Sequence, residues 1–262
     1  MRKIDFQKDR EFYDTECQAP SVYTDDPLDL YRFNLLLKTS EKIISFLSAG
    51  RKERKAFENM DVLNVACGYG REAYLISNQI PKSLVLCDYS LHQIKQAQKY
   101  LEKFDGKMFL CADGQSLPFK DKSSNICFIT EALHHFTYPH KGIEELVRVA
   151  KDAIILDEPT EGKIRSMLNR IFIQFRIKEE YERGYLEAFR INKQLLQEIC
   201  LKHKLELVFF PYFIYYFGWY KRTKNRFIKI LYRNFLAILN TFFHSFGNRA
   251  IVILTFKRTP VL

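Results

Sequence analysis

Short, almost continuously apolar runs alternate with amphipathic segments along the central part of the chain. Continuous apolar runs are typical of parallel strands that are covered on both faces. The segments between them, residues 70–79, 90–104 and 141–150, have apolar positions at helical spacing. Strands that alternate with helices predict a doubly wound α/β sheet. The predicted strands are DVLNVA (61–66), SLVLCD (83–88), KMFLCA (107–112), NICFIT (125–130) and DAIILDE (152–158).

The flanking segments add two strands and several helices. Strands are predicted over 205–217 and 250–256, so the sheet has seven. The two form a hairpin-like pair, which puts the last strand antiparallel at one edge. The predicted flanking helices are the amphipathic segment 28–47, residues 160–182 and 190–203, and a basic, aromatic stretch over 222–245.

Charge is distributed unevenly along the 262 residues. The net charge of +10 belongs to residues 201–262, which hold 11 Lys and Arg and a single acid, Glu206. Basic and acidic residues cancel in the rest of the chain, so the overall charge is no argument for nucleic-acid binding. With 47% hydrophobic residues the chain can bury a sizeable core, which argues against global disorder.

Cysteine usage and apolar segments indicate a cytoplasmic protein. The six cysteines form no CxxC pair, which predicts a reducing environment and no zinc or other metal site. The N-terminal residues lack the apolar stretch of a signal peptide. The long apolar stretches 205–220 and 227–246 are interrupted by proline, charged or amide residues, so a membrane-spanning helix is not expected.

Candidate ligand-binding residues follow three neighbouring predicted strands. After the first strand, the loop from Asn64 to Gly70 leads into a helix, and its glycines let a ligand approach the backbone and the helix N-terminus. Asp88 ends the second strand, where an acid can bind both hydroxyls of a ribose. Asp113 follows the third strand, where it can accept a hydrogen bond from an adenine amine. These positions meet at the carboxyl edge of the sheet, where open α/β sheets bind ligands.

With these residues the chain resembles the class I S-adenosylmethionine (SAM)-dependent methyltransferases, in particular the type 11 group that includes quinone-biosynthesis C-methyltransferases. The resemblance covers roughly residues 60–160. It is carried, in order, by VLNVACGYG, LVLCDYS, FLCADGQSLPFKDKSSNICFITEALHHF and EELVRVAKDAIILDEP. It implies a Rossmann-like sheet of seven strands, mostly parallel, with an antiparallel last strand, and SAM as the cofactor.

The resemblance also implies roles for individual residues. The loop containing Asn64, Ala66, Cys67, Gly68 and Gly70 would hold the methionine part of SAM. Asp88 would bind the ribose, Tyr89 would flank the adenine, Asp113 with the Gly114 backbone would read the adenine edge, and Glu131 with Ala132 would line the floor. Two positions depart from the family pattern: an acid usually stands in place of Asn64, and glycine often stands in place of Ala66.

Two other interpretations of the glycine loop remain open. Residues 68–73 fit GxGxxA, and with Asp88 as the ribose acid they fit a dinucleotide site, although a lone match of this kind is weak. Alternatively, the glycines serve only a turn. Neither interpretation accounts for the segment around Asp113.

His134 and His135, just beyond the fourth strand, are the candidate catalytic residues. Histidine titrates near neutral pH and can take a proton from a methyl acceptor; His135 is slightly favoured, because one histidine of this pair often faces the methyl donor in the resembled group. The alternative is that both pack locally. Asp157 and Glu158 could bind a polar substrate or act as a base, but a capping role is favoured. Arg71 could meet the SAM carboxylate or be solvated.

These features predict methyl transfer from SAM to a small-molecule or lipid- or sugar-linked acceptor, at oxygen or carbon. The segment after the fourth strand lacks the Asn/Asp-Pro-Pro-aromatic and Pro-Cys patterns of enzymes that methylate nucleic-acid bases. The alternative from another class is a catalytically inactive SAM-binding module, which Asn64 and Ala66 favour. An RNA methyltransferase is a further alternative that rests on the basic tail alone.

The terminal regions leave several interpretations open. Residues 1–50 are predicted to form an N-terminal helical lid segment, and residues 51–262 the SAM-binding domain, with helical additions over 160–204 and 218–248 on the acceptor side. The aromatic, basic stretch 209–246 fits a core strand plus a helix with a solvated basic face. It also fits a wall for an apolar substrate, or peripheral docking on anionic lipid at the inner membrane face. Base stacking on its aromatics is a further, weaker option.

Overall fold

A computed structural model gives the fold of residues 26–47, 57–160, 190–214 and 218–256. Its centre is a seven-stranded sheet with the order β3-β2-β1-β4-β5-β7-β6. The strands are β1 (Asp61–Val65), β2 (Ser83–Asp88), β3 (Lys107–Cys111), β4 (Ser124–Thr130), β5 (Ala150–Pro159), β6 (Leu205–Tyr212) and β7 (Arg249–Phe256).

The strand directions confirm the predicted mixed sheet. Strands β1 to β5 pair in parallel, and β7 runs antiparallel to both β5 and β6. The expectation that the last strand lies at an edge is wrong, because β7 lies between β5 and β6 and β6 forms the edge. The side chains explain this order. Nearly every residue of β7 is buried, whereas β6 is half-exposed and contains Pro211, a residue that sheets tolerate at their edges.

Seven helices accompany the strands in the part of the chain that the structure describes. They are α1 (Pro27–Leu47), α2 (Arg71–Ser77), α3 (Leu91–Tyr100), α4 (Pro139–Val149), α5 (Lys193–His203), α6 (Gly218–Arg222) and α7 (Arg226–Phe243). The helix predicted over 222–245 corresponds to α7, which begins at Arg226 because the Asn225 side chain accepts hydrogen bonds from its first turn; the short α6 precedes it. Most of the helix predicted over 160–182 and the first 25 residues of the predicted lid segment lie outside the described residues.

The sheet is covered on both faces, as its apolar strands require. On one face, α1, α2, α3 and α7 pack against side chains such as Val62 and Ile253. On the other face, α4 and α5 pack against side chains such as Leu63 and Val252. Neighbouring residues of a strand therefore belong to different core layers. Within the described ranges, every helix is too short or too polar to cross a bilayer.

Candidate functional site

A cavity of about 380 Å³ opens at the carboxyl ends of β1, β2, β3 and β4. Its lining comes from the loops that follow these strands. The sequence-predicted residues that line it are Ala66, Cys67, Gly68, Arg71, Asp88, Tyr89, Asp113, Gly114, Glu131, Ala132 and His135. The topology thus brings together residues from four separate sequence segments.

The loop after β1 exposes its backbone to the cavity because three residues adopt left-handed conformations. These are Ala66 (φ 50°), Gly68 (φ 54°) and Gly70 (φ 88°). At Gly68 a side chain would meet nothing closer than the Gln93 amide oxygen at 3.7 Å, so the backbone there is open to a ligand. At Gly70 an added Cβ would lie 3.0 Å from Leu101, so this glycine allows α2 and α3 to pack closely.

Asp88 connects the glycine loop to the end of β2. The Gly68 N–H donates to Asp88 Oδ2 (2.8 Å), and the Ser90 N–H donates to Asp88 Oδ1 (2.9 Å). Asp88 also lines the cavity, so its carboxylate lies where a ligand can meet it. The carboxylate is therefore fixed in place by two backbone donors and still able to bind.

Asp113 and Gly114 form the next part of the wall, after β3. Asp113 Oδ1 accepts hydrogen bonds from the backbone N–H (2.8 Å) and the side-chain amide (3.2 Å) of Gln115. A Cβ on Gly114 would lie 2.5 Å from the ring of Phe136, another lining residue. The close approach of Phe136 therefore requires glycine at position 114.

The two candidate histidines lie in different surroundings. His135 lines the cavity, whereas His134 lies outside the lining and its Nδ1 is 3.1 Å from Glu158 Oε2. The other carboxylate oxygen of Glu158 accepts from the N–H groups of Ala132 (2.8 Å) and Leu133 (2.9 Å). Glu158 thus holds the turn that carries both histidines, whose rings are 4.1 Å apart.

Comparison with known proteins assigns the central domain. The family profile described as a methyltransferase domain matches residues 63–155. The demethylmenaquinone methyltransferase of Paenarthrobacter aurescens (strain TC1) is 29% identical over 115 residues, which cover 42% of this chain and 44% of the relative. A phthiotriol/phenolphthiotriol dimycocerosates methyltransferase of Mycobacterium tuberculosis (strain H37Rv) is 33% identical over 91 residues, covering 34% of this chain and 33% of the relative. The chain therefore matches less than half the length of these relatives.

Solved structures agree on the fold. Magnesium protoporphyrin IX methyltransferase from Synechocystis PCC 6803 with bound S-adenosylhomocysteine superposes with a TM-score of 0.61 at 12% identity, covering 97% of this chain and all of the other. Residues 63–155 match the methyltransferase-domain family, and the fold is that of class I SAM-dependent methyltransferases. The matched range contains all the strand-end loops that line the cavity.

A buried charge cluster adjoins the cavity of the methyltransferase domain. We define the charge cluster as three arginines, three acids and one tyrosine: Arg32, Arg71, Arg249, Glu72, Glu131, Asp157 and Tyr212. Glu131 is its centre, because Arg32 Nη1 (2.5 Å), Arg71 Nη2 (3.0 Å) and Arg249 Nη1 (2.5 Å) all contact its carboxylate. Arg71, Glu72 and Glu131 also line the cavity.

The remaining contacts of the charge cluster join five elements. Arg32 of α1 pairs with Glu72 of α2 (2.8 Å), which also pairs with its neighbour Arg71. Arg249 of β7 contacts Asp157 of β5 (3.3 Å), and the Tyr212 hydroxyl donates to the same carboxylate (2.7 Å). A further acid, Asp29 of α1, lies 3.9 Å from Arg71 Nη1, so each arginine of the cluster is paired with acids, as buried charges require.

Burial and pairing act in opposite directions on the pKa values of the cluster. Burial alone would raise the pKa of Glu131, but the three arginines outweigh it and hold the pKa well below its ordinary 4.5. Glu72 is also held below 4.5, against burial, by Arg71 and Arg32. Burial raises the pKa of Tyr212 well above 10, and the charge of Asp157 adds to the effect. Glu131 and Glu72 are therefore ionised and Tyr212 is protonated at neutral pH.

Several predicted residues lie away from the cavity. Asn64 is buried within the sheet and its amide donates to the Phe128 carbonyl (3.3 Å). Gly70 and His134 also lie outside the lining. Asp157 is completely buried in the charge cluster, and Glu158 binds the backbone of the histidine turn. The helix start after Thr160, which these acids were expected to cap, lies outside the described residues.

Sequence reasoning missed Arg32, Glu72 and Arg249. A signal existed for Arg249, since a charged residue opens the otherwise apolar segment RAIVILTF and β5 ends with two acids. Antiparallel pairing places the start of β7 beside the end of β5, with Arg249 opposite Pro159. Arg32 carried no comparable signal, because the partner of a helix face cannot be identified from its periodicity.

Proposed function

We propose that this chain transfers a methyl group from SAM to a small-molecule acceptor, with lipid- and sugar-linked molecules included, at oxygen or carbon. The observation that carries the proposal is the convergence of Asp88, Asp113 and His135 on one cavity at the strand ends. Its volume lies in the range of pockets that bind small ligands. The names of the relatives, which act on quinone-type and lipid-like molecules, favour the same class of acceptor.

The residues present fit SAM. The open backbone at Gly68 suits the methionine part, and the cavity-facing carboxylate of Asp88 suits the two ribose hydroxyls. Asp113 and the Gly114 backbone suit the adenine edge, with Tyr89 beside the ring. Arg71 lines the cavity and suits the carboxylate of the methionine part.

When bound, SAM supplies a sulfonium methyl group that an acceptor atom can take by direct displacement. The protein's part is to position the acceptor and to exclude water, which is where most of the rate enhancement of such a reaction arises. His135 would accept a proton from an acceptor hydroxyl or carbon acid. Glu158 would hold the turn that presents His135 to the cavity.

Calorimetry on the full chain tests the cofactor. We expect micromolar binding of SAM and S-adenosylhomocysteine, and at least a tenfold loss in Asp88→Asn, because a charge-assisted hydrogen bond contributes about 1.5–3 kcal/mol. Asp105→Asn, an exposed acid outside the cavity lining, is the matched control and should bind as the unaltered chain does. Binding of NAD in place of SAM would refute the proposal.

Transfer of a labelled methyl group tests the reaction. We would incubate the chain with methyl-labelled SAM and either an organic or an aqueous extract of cells, and follow the label into products. His135→Ala should retain SAM binding and lose about a hundredfold or more in turnover, while His92→Ala on α3, outside the cavity lining, should be unaffected. Intact SAM binding without label transfer to any acceptor pool would favour the inactive binding module.

A further inference from the structure

The outer face of α7 is a row of large apolar side chains in contact with solvent. Its residues follow one another at spacings of four, four, three and four, so they share one side of the helix. Their exposed fractions run from 52% to 73%. We call these five residues the α7 stripe: Phe227, Leu231, Phe235, Ile238 and Phe242. Exposed apolar patches of this extent are unusual on soluble domains and mark a binding surface.

The opposite face of α7 is fixed to the body of the domain. Asn240 is buried; its side chain accepts from the Phe213 N–H (2.5 Å) and donates to the Phe213 carbonyl (2.9 Å) and the Tyr31 hydroxyl (3.0 Å). Leu236 is in the core, and Lys229 forms an ion pair with Asp26 (2.8 Å). The helix therefore cannot turn its apolar stripe inward without breaking these contacts.

The segment that carries the α7 stripe is strongly basic, and of its charges Lys229 is offset by Asp26. Residues 218–256 contain no Asp or Glu, while six Lys and Arg lie between positions 221 and 233. Arg222, Lys224 and Arg226 are exposed beside the start of the helix. A helix with an apolar face, cationic flanks and no acids is the pattern that anionic membrane surfaces attract.

We propose that the α7 stripe docks this protein on the surface of an anionic phospholipid membrane. The helix lies along the interface, about 27 Å long from its 18 residues. Its apolar side chains enter the boundary between headgroups and acyl chains, and the neighbouring basic residues meet the lipid phosphates. Trp219, about half exposed just before α7, is suited to the headgroup level, where tryptophan is enriched.

Charge favours lipid over a second copy of the chain. Two copies joined stripe to stripe would bring together two segments that each hold six Lys and Arg and no acid of their own, with Lys229 offset by Asp26. Nucleic acid would neutralise the basic residues but would leave the apolar stripe in water. Anionic lipid satisfies both features. The inference goes beyond methyl transfer and does not depend on it.

Vesicle flotation with the full chain tests docking. We expect binding to phosphatidylcholine vesicles that contain a quarter phosphatidylglycerol, weaker binding to pure phosphatidylcholine, and weakening with added salt. Trp219 is the only tryptophan, so a blue shift of its fluorescence on vesicle addition reports burial at the same surface. Absence of both flotation and blue shift at low salt would overturn the proposal.

Two matched double variants test whether the α7 stripe is the surface that binds the membrane. Phe235→Gln with Ile238→Gln should lower vesicle partitioning by roughly tenfold or more, since two large apolar side chains no longer enter the lipid. Met108→Gln with Leu201→Gln removes two apolar side chains elsewhere that are exposed by 60% and 81%, and should leave partitioning unchanged. Equal loss in both pairs, or none in the first, would refute the assignment to α7.

Two further measurements separate the outcomes. Phe235→Gln with Ile238→Gln should bind SAM with the affinity of the unaltered chain. A loss of membrane docking can therefore be distinguished from a loss of the proposed activity. Sedimentation equilibrium gives the oligomeric state without lipid. Suppose that the chain does not float with vesicles, is a dimer, and becomes a monomer in Phe235→Gln with Ile238→Gln. A second copy would then be the occupant of the α7 stripe, and membrane docking would be overturned.

Discussion

At the residue scale, Ala66 carries a conformation that suits glycine better. Its φ of 50° lies in the left-handed region, at the first position of the loop that follows β1. A side chain in this region costs about 1–2 kcal/mol. We therefore predict that Ala66→Gly stabilises the fold by up to about 1 kcal/mol, the gain being reduced by the greater freedom of glycine in the unfolded chain. Urea unfolding measures the change.

A second Ala→Gly change supplies the control for this prediction. Ala237 lies within α7 and has ordinary helical geometry. Ala237→Gly should destabilise the fold by about 1 kcal/mol, the usual cost of glycine in a helix. If both variants lose stability by similar amounts, the left-handed conformation of Ala66 is not a source of strain.

Single residues of the site differ in how well sequence could place them. Asp88 and Asp113 end or follow strands, so the rule that parallel strands share a carboxyl edge was sufficient to bring them together. His135 was placed by the same rule. Asn64 was misplaced because it lies within β1, where side chains alternate between faces rather than point along the strand. The roles of these residues in binding and catalysis stay predictions.

At the scale of elements, α1 is fastened to the sheet through one buried arginine. The side chain of Arg32 contacts Glu72 of α2, Glu131 after β4 and Asp157 of β5 at 2.8, 2.5 and 3.4 Å. Removing one partner of a buried ion pair leaves the other charges without compensation. We predict that Arg32→Met lowers the free energy of unfolding by about 3 kcal/mol, measured by urea denaturation.

The same helix offers a control for Arg32. Lys38 is exposed on α1, so Lys38→Met makes the same exchange of a long cation for methionine outside the charge cluster. It should change stability by less than about 0.5 kcal/mol. Equal effects of the two variants would mean that the buried ion pairs contribute little to the attachment of α1.

Elements with a clear hydrophobic pattern were predictable from the sequence, but which elements lie beside each other in the fold was not. The strands β1 to β5 follow their apolar runs to within a few residues at each end, since continuous burial leaves one interpretation. The position of β7 inside the sheet depends on long-range pairing with both β5 and β6, which a local pattern does not contain. The sequence of α7 fits a helix packed on the core, a wall for an apolar substrate and a membrane-docking helix alike, because its period does not say what covers the apolar side.

At the scale of the whole molecule, acid should act on the protein through its charge balance. Residues 201–262 carry the net charge of +10, and protonation of carboxylates elsewhere adds to this excess. The charge cluster is one acid-sensitive place, because its three arginines would lose their pairing when Glu131 and Glu72 are neutralised. Glu131 and Glu72 both have pKa values below 4.5 in the folded state.

We predict that stability falls as the pH drops below about 4.5, and that Glu131 accounts for part of the fall. A carboxyl with a lowered folded pKa contributes stability that is complete above its unfolded value of 4.5 and is lost as the pH falls through the folded value. A third of the Glu131 side chain is exposed, so solvent screens part of this contribution.

Urea unfolding at pH 7, 5, 4 and 3 should therefore show a smaller decline in the free energy of unfolding for Glu131→Gln, which starts from lower stability at pH 7. Glu102→Gln, an exposed acid on the surface, should keep the full decline; if Glu131→Gln keeps it too, the acid sensitivity comes from the overall charge and not from the cluster.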